Sequence, residues 1–258
     1  MSTWTEISAG ELHAAEQRIR VALGDDASEV VSKINNDQSF AETLASYIKG
    51  AMIGENRLLT SLNPQWLRAR EIMGKNFFGV EEAIEHFGVN PTRQQLAVLS
   101  EVPFSEAVLE ETKNTHVLVA VFPLSILEIR GKVDSGLFYD QSWYNKELFA
   151  KEHGEVCWQL VRKTPVDGSI SKNWSEQQAL ITEDDEVPSA RVMTYIIIGH
   201  YLATGERLFE HVYVRTSSVD SDGSRVSVGS FELTGLDVND YWDDYRYDGL
   251  GVASSRKF

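Results

Sequence analysis

The spacing of apolar residues changes along the chain, and this change sets the fold class. In the first part apolar residues recur at helical intervals, as at Ile19 and Leu23. Further on, residues 117–122 form a continuous apolar stretch, which is typical of a buried strand. We therefore predict an α+β protein, with a helical N-terminal region over 1–75 and a domain of short, loop-rich antiparallel strands over 76–258.

The clearest helix signal lies over residues 189–203. Pro188 precedes it, Gly205 follows it, and the acidic residues at 184–186 suit the positive end of a helix dipole. An S-x-x-E capping box at 39–42 predicts the start of an earlier helix. Further helices are predicted over 80–87 and 91–99, and further strands over 157–162, 211–215, 225–231, 236–242 and 250–256.

The charge balance and the cysteine content exclude several classes of protein. The chain has 24 Lys and Arg against 39 Asp and Glu, a formal net charge of −15. Such a field repels a phosphate backbone, so we expect no nucleic-acid partner. Cys157 is the only cysteine, which excludes an internal disulfide and a cysteine-rich zinc site. No P-loop, H-E-x-x-H, G-x-S-x-G or G-x-G-x-x-G pattern occurs, and we expect no metal and no cofactor.

The sequence carries no targeting signal that we recognise. The first residues lack the basic start and apolar stretch of a secretory signal. The longest apolar stretch, 117–129, is short and is interrupted by Pro123, Ser125 and Glu128. We therefore expect no membrane insertion and a cytoplasmic protein, while display on a surface by another route stays open. The N-terminal helices are expected to pack, to form a homo-oligomer or to attach to a carrier.

The last 42 residues, 217–258, have an unusual composition. They contain eight Ser, seven Asp, five Gly, three Tyr and one Asn, and apolar residues are interleaved among them at regular intervals. Alternation of apolar and small polar residues predicts strands and loops rather than a disordered tail. Tyr, Ser, Asn and Gly are also the residues that antibody-like binding loops use for contact.

Three segments carry a family resemblance: 213–218, 225–228 and 250–256. They resemble the closing strands of C-type-lectin-like domains, in the branch shared with formylglycine-generating enzymes. Within that branch the chain looks most like the variable proteins of diversity-generating retroelements. The resemblance implies that a reverse transcriptase copies a template repeat with errors at adenines, and that the copy replaces the 3′ end of the gene. An asparagine codon AAC can then become a codon for Asp, Tyr, Ser, Gly, Val or Leu, among others, but not for Glu, Lys or Trp.

This resemblance implies a ligand-binding surface built from residues that an AAC codon can reach. We expect Tyr241, Tyr245 and Tyr247 to anchor the ligand, because exposed aromatic side chains dominate many interfaces. Trp242 is not reachable and is expected to point into the core. The predicted ligand-binding residues are Val219, Ser221, Ser224, Ser227, Ser230, Leu233, Asp237, Asn239, Asp240, Tyr241, Tyr245, Tyr247 and Gly249. The expected scaffold residues between them are Gly223, Val226, Gly229, Gly235, Leu250 and Gly251.

Two alternatives of a different class stay open. An enzyme on the same fold would gather polar side chains in a pocket near Cys157 or His200. A single cysteine departs from the cysteine pair that formylglycine-generating enzymes are expected to need, and His200 is expected to be a core or capping residue. A calcium-dependent sugar-binding lectin would instead hold metal through the aspartates at 237, 240, 243, 244 and 248. The protein ligand or surface ligand itself is not specified by the sequence.

Overall fold

The computed structural model describes residues 24–51 and 63–258, so the helical interpretation of Ile19 and Leu23 lies outside the described residues. The chain divides into two compact units, Met1–Leu58 and Leu59–Phe258. The described part of the first unit consists of a short 3-10 turn and two helices that contact each other, α1 (Ala27–Asn36) and α2 (Gln38–Ala51).

Helix α2 begins two residues earlier than the capping box predicts. The Asp37 side chain accepts a hydrogen bond from the backbone N–H of Phe40 at 3.0 Å. The cap is therefore Asp37 rather than Ser39, which lies inside the first turn of the helix. Asp and Ser are equivalent as caps, so the pattern alone could not distinguish the two positions.

The second unit contains the remaining described helices and all the described strands. Its helices are α3 (Pro64–Met73), α4 (Val80–Phe87), α5 (Arg93–Leu99), α6 (Glu106–Thr112), α7 (Ile126–Lys132), α8 (Leu148–Lys151), α9 (Trp174–Gln178) and α10 (Ala190–Thr204). Its strands are β1 (Phe77–Phe78), β2 (His116–Val121), β3 (Cys157–Arg162), β4 (Asp185–Glu186), β5 (Tyr213–Val219), β6 (Arg225–Glu232), β7 (Gly235–Tyr241), β8 (Leu250–Val252) and β9 (Ser255–Arg256). None of the helices in the described ranges is both long enough and apolar enough to cross a membrane.

The strands form two small sheets of mixed direction. One has the order β1-β2-β3-β9-β4 and the other has the order β7-β6-β5-β8. Most neighbours are antiparallel, as expected, but β1 pairs with β2 and β5 pairs with β8 in parallel. The prediction of one closing strand over 250–256 is wrong, because β8 and β9 belong to different sheets. The α+β class is confirmed.

Helix α10 is the centre of the core and contacts strands of both sheets. Residues 190–200 are all buried, including Tyr195 and Ile196. Ser189 caps its start by accepting from the N–H of Val192 at 3.3 Å, and Gly205 ends it in the left-handed conformation. The predicted helix over 189–203 is thus confirmed to within one residue.

Helix α3 lies within the region that was predicted to be the N-terminal helical part, yet it packs in the second unit. Trp66, Ala69 and Ile72 are buried there. The Trp66 indole donates to the carbonyl oxygen of Leu99 at 2.7 Å, and the indole of Trp158 in β3 donates to the same oxygen at 2.9 Å. These contacts tie α3 to the first sheet.

Candidate ligand-binding face

One side of the second sheet, together with the loop that follows β7, gathers more than half of the predicted ligand-binding residues. Tyr213 of β5, Gly229 of β6 and Asp237 of β7 stand in line across the sheet. The Tyr213 hydroxyl donates a hydrogen bond to the Asp237 carboxylate. The second carboxylate oxygen accepts from the Gln141 amide at 2.9 Å.

Gly229 makes the approach of Tyr213 to Asp237 possible. Its φ of 152° is disfavoured for other residues. A Cβ atom at this position would lie 2.1 Å from the carbonyl oxygen of Val212. The glycine therefore permits the close approach of the β5 backbone, and it places no side chain between the Tyr213 phenol and the Asp237 carboxylate.

The rings of Tyr213, Tyr241 and Tyr245 form a row that begins at this contact. The ring centroids of Tyr213 and Tyr241 are 6.0 Å apart at an angle of 73°. Those of Tyr241 and Tyr245 are 5.3 Å apart and nearly parallel, with 3° between the planes. Asn239 donates to the Tyr241 hydroxyl at 3.3 Å, and Tyr247 is exposed in the same loop as Tyr245. We call Tyr213, Asp237, Asn239, Tyr241, Tyr245 and Tyr247 the tyrosine face.

The loop over residues 242–249 is held by a fully buried arginine. Arg215 of β5 donates through Nη2 to the carbonyl oxygens of Trp242 at 3.0 Å and Tyr245 at 2.7 Å. Through Nη1 it donates to the carbonyl of Lys172 and to the side chain of Gln177, both at 3.0 Å. A charged group that donates to several carbonyl oxygens stabilises a loop that has no regular structure of its own.

Helix α9 supports the same loop from its other side. The backbone N–H of Trp174 donates to the carbonyl oxygen of Asp243 at 2.8 Å. The guanidinium of Arg225 lies 4.2 Å from the centre of the Trp174 ring. Arg225 also pairs with the Asp243 carboxylate at 3.2 Å. The loop backbone is therefore fixed by residues outside the predicted ligand-binding set, while Tyr245 and Tyr247 stay exposed.

The phenols of Tyr213 and Tyr241 stay neutral over the physiological pH range. Burial raises the pKa of Tyr241 to about 12, and the negative charge of Asp237 acts in the same direction. Burial and the hydrogen bond to Asp237 also raise the pKa of Tyr213. Neutral phenols keep both a hydroxyl donor and an electron-rich ring available to a ligand.

Two further predicted residues border the tyrosine face. Ser230 is half-buried in β6, has a positive φ of 45°, and donates from its backbone N–H to the carbonyl oxygen of Val212, next to Tyr213, at 3.0 Å. Gly249 accepts a hydrogen bond from the N–H of Tyr213 at 2.8 Å, and a Cβ atom there would meet the Tyr247 ring at 2.7 Å. Both positions are close enough to change the shape of the face.

A second group of predicted residues lies at the hairpin between β5 and β6. Val219 and Ser221 line a cavity of about 430 Å³ together with Leu148. Ser221 donates to Glu147 through its backbone N–H at 2.8 Å and its hydroxyl at 3.0 Å. Burial raises the pKa of the half-buried Asp240, as does the nearby charge of Asp220.

Two of the remaining predicted residues are buried next to these groups, Ser227 opposite Asn239 and Ser224 in the β5–β6 hairpin, and the third lies apart from both. Ser224 and Ser227 are 2% and 0% exposed, so neither side chain reaches the surface. Leu233 is 90% exposed at the turn between β6 and β7. The expectation that Trp242 points into the core is wrong: its side chain is 60% exposed, since the loop is anchored through its carbonyl.

Cys157 and His200, near which an enzyme on this fold would have its pocket, lie in different elements. Cys157 begins β3, and burial raises the pKa of its thiol, which keeps it in the less nucleophilic form. His200 is 1% exposed on α10, with Nε2 3.4 Å from Glu206, as expected for a core histidine. Lys163 also reaches Glu206 at 3.3 Å, so this cluster forms ion pairs within the protein.

The acidic segment at the C-terminal end forms no metal-ligand cluster within the described ranges. No group of three His, Cys, Asp or Glu side chains converges there or elsewhere in residues 24–51 and 63–258. Asp243 pairs with Arg225, and Asp237 accepts from Tyr213 and Gln141. The carboxylates therefore point to different partners.

Sequence reasoning missed the residues that assemble the face. The sequence pattern predicts Tyr213 and Arg215 only as residues of a closing strand and gives neither of them a role in the binding face. An arginine inside a strand pattern is a signal for a buried charge, but the partners of Arg215 come from residues far away in sequence. Gln141 and Glu147, which contact Asp237 and Ser221, carry no signal in the sequence.

Comparison with known proteins identifies no family for this chain. No protein-family model matches it, and searches of curated proteins and of solved structures give no match.

Proposed function

We propose that the chain is a non-enzymatic ligand-binding protein whose C-terminal surface is diversified by a retroelement through adenine-directed mutagenesis. In this proposal residues 76–258 carry a C-type-lectin-like domain, and the tyrosine face is the main contact surface. The ligand is a protein or another surface component. The N-terminal helices attach the domain to a carrier or to further copies of the chain.

The observation that carries this proposal is the difference in burial between most variable positions and the apolar scaffold positions; of the predicted variable residues only Ser224 and Ser227 are buried. Asn239, Tyr241 and Tyr245, which an AAC codon can reach, contact one another at the surface. Val226 and Leu250, which were assigned to the scaffold, are fully buried. A protein diversified at its gene needs this separation, because each new side chain must leave the core unchanged.

The strand arrangement supports the lectin-like part of the proposal. The three segments that resemble the closing strands coincide with β5, with β6, and with β8 followed by β9. Strands β5, β6 and β8 are neighbours in one sheet. The connecting loop over 242–249 is irregular and is held by side chains from its surroundings. Short strands that carry a rigid loop suit a fold that presents variable side chains.

Sequencing the 3′ end of the gene and its flanks in many cells tests the proposal. We expect a nearby near-repeat of codons 217–258 that differs where the repeat has adenine, beside a reverse transcriptase gene. The differing codons should include those of Tyr241, Tyr245 and Tyr247 and exclude those of Val226 and Leu250. An invariant 3′ end without a repeat would contradict diversification.

A further inference from the structure

Carboxylates surround the tyrosine face and lack basic partners in the described chain. Asp237 lies on β7, on the same side as Asn239 and Tyr241, and Asp244 and Asp248 lie in the loop that carries Tyr245. No Lys or Arg of the described residues forms an ion pair with any of these three, whereas Asp243 does pair with Arg225. The face therefore presents negative charge that the protein itself does not neutralise.

Three arginines close to the face are used for other contacts. Arg215 is buried against backbone carbonyls. Arg225 is paired with Asp243. Arg246 is paired with Glu176 at 2.6 Å. None of these three guanidinium groups pairs with Asp237, Asp244 or Asp248, so a positive charge from a partner can contact these carboxylates.

The aromatic part of the face suits the same partner. Tyr245 contacts Tyr241 through one stacked ring pair and remains 46% exposed, and Tyr247 is 42% exposed. Electron-rich ring faces attract cations within about 6 Å of the ring centre. Asp237 receives hydrogen bonds from the neutral donors Gln141 and Tyr213 and, with about four acceptor sites on a carboxylate, can accept more.

We propose that the tyrosine face of this chain binds a basic side chain, arginine in preference to lysine, presented by a partner protein. A planar guanidinium stacks on a tyrosine ring and donates to a carboxylate at the same time, and it is less strongly hydrated than an ammonium group. The long-range field of a chain with a net charge of −15 also favours approach of a basic partner. The inference rests on the proposed function in one respect, that this face is where the ligand binds.

Peptide probes test the inference directly. Four fluorescent octapeptides alternate glycine with arginine, lysine, citrulline or glutamate, and their binding to the full chain is measured by anisotropy at low and at physiological ionic strength. Citrulline keeps the shape of arginine without the charge. We expect the arginine peptide to bind most tightly, the lysine peptide less tightly, and the other two weakly.

Variants separate the face from general attraction to an acidic protein. Tyr245→Leu and Asp237→Asn should each weaken binding of the arginine peptide about two- to fivefold, as expected for one exposed cation–π or charge contact. Tyr245→Phe, which keeps the ring, should bind as the parent chain does. Glu101→Gln and Phe258→Leu, which change an exposed charge and an exposed ring elsewhere, should bind like the parent chain.

Several outcomes would overturn the inference. These are equal losses in face and control variants, equal binding of the citrulline peptide, or no binding of the arginine peptide at millimolar concentration. Thermal melts of Tyr245→Leu and Asp237→Asn establish that each variant is folded. Adenine-linked variation in the gene without binding of the arginine peptide would overturn this inference and leave the proposed function standing. Binding of the arginine peptide without adenine-linked variation would support this inference and contradict diversification of the gene.

Discussion

The Nη2 atom of Arg215 lies 2.7 Å from the carbonyl oxygen of Tyr245, so a fully buried guanidinium holds the backbone of an exposed aromatic residue. The same atom donates to the carbonyl of Trp242. The loop is therefore fixed through its main chain, and its side chains can change without loss of these hydrogen bonds. A binding surface whose side chains vary needs a backbone that is held independently of those side chains.

Replacement of this arginine should destabilise the domain. Arg215→Met removes four hydrogen bonds from a charged donor and leaves buried acceptors unpaired, so we expect the free energy of unfolding to fall by about 3 kcal/mol or more. Arg246→Met, which removes only the exposed pair with Glu176, should cost less than about 1 kcal/mol. Urea unfolding of both variants measures the difference, and equal losses would contradict the role of Arg215.

Truncation of the exposed tyrosines should leave the fold intact. Tyr245→Ala removes a half-exposed ring and one stacking contact, so we expect a loss of about 1 kcal/mol or less. Phe231→Ala removes a fully buried ring in β6 and should cost about 3–5 kcal/mol. Thermal and urea unfolding test this contrast; comparable losses would place Tyr245 in the core.

Gly251 should tolerate no side chain. A Cβ atom there would lie 2.6 Å from the Cβ of Pro165 and 2.8 Å from the hydroxyl oxygen of Ser169, which accepts a hydrogen bond from Val252. We expect Gly251→Ala to cost about 1–3 kcal/mol and Gly251→Val to cost more. Gly131→Ala, on helix α7 with no atom within 4 Å of the new Cβ, should stabilise by about 0.5–1 kcal/mol. A stable Gly251→Val variant would show that β8 can move apart from its neighbours.

Acid should destabilise the domain through His116. Burial, and next the positive charge of Arg162, lower the pKa of His116 to about 4 from 6.5. Between these two values the unfolded chain takes up a proton that the folded chain does not, so stability is full above pH 6.5 and falls as the pH drops toward 4. His116→Gln should make that fall less steep. Urea unfolding at pH 7, 5.5 and 4.5 measures the slope, and an unchanged slope would contradict a neutral His116.

The sequence predicted the elements well where local signals are strong. Helix α4 and strand β3 have the predicted bounds, and α10 differs by one residue. Local patterns gave no information on which sheet a strand joins. The division of 250–256 between two sheets depends on long-range pairing of Leu160 with Arg256 and of Tyr213 with Leu250.

The candidate site was predictable in part, and for a physical reason. Composition and codon reachability identify residues that can vary, but they do not report burial. Ser227 is therefore indistinguishable from Ser221 in the sequence, although one is buried and the other exposed. The sequence predicts a core position for Trp242, whereas a backbone anchor from Arg215 lets the ring remain outside.

The central claim is that the tyrosine face can change while the fold persists, and a paired library tests it most directly. One library varies Asn239, Tyr241, Tyr245 and Tyr247 together, using the amino acids that an AAC codon can reach. A control library varies the same number of buried positions, Val226, Val228, Leu236 and Val238, with the same codons. The fraction of clones that resist proteolysis is measured in each. We expect most clones of the first library to be folded and few of the second; equal fractions would contradict the claim.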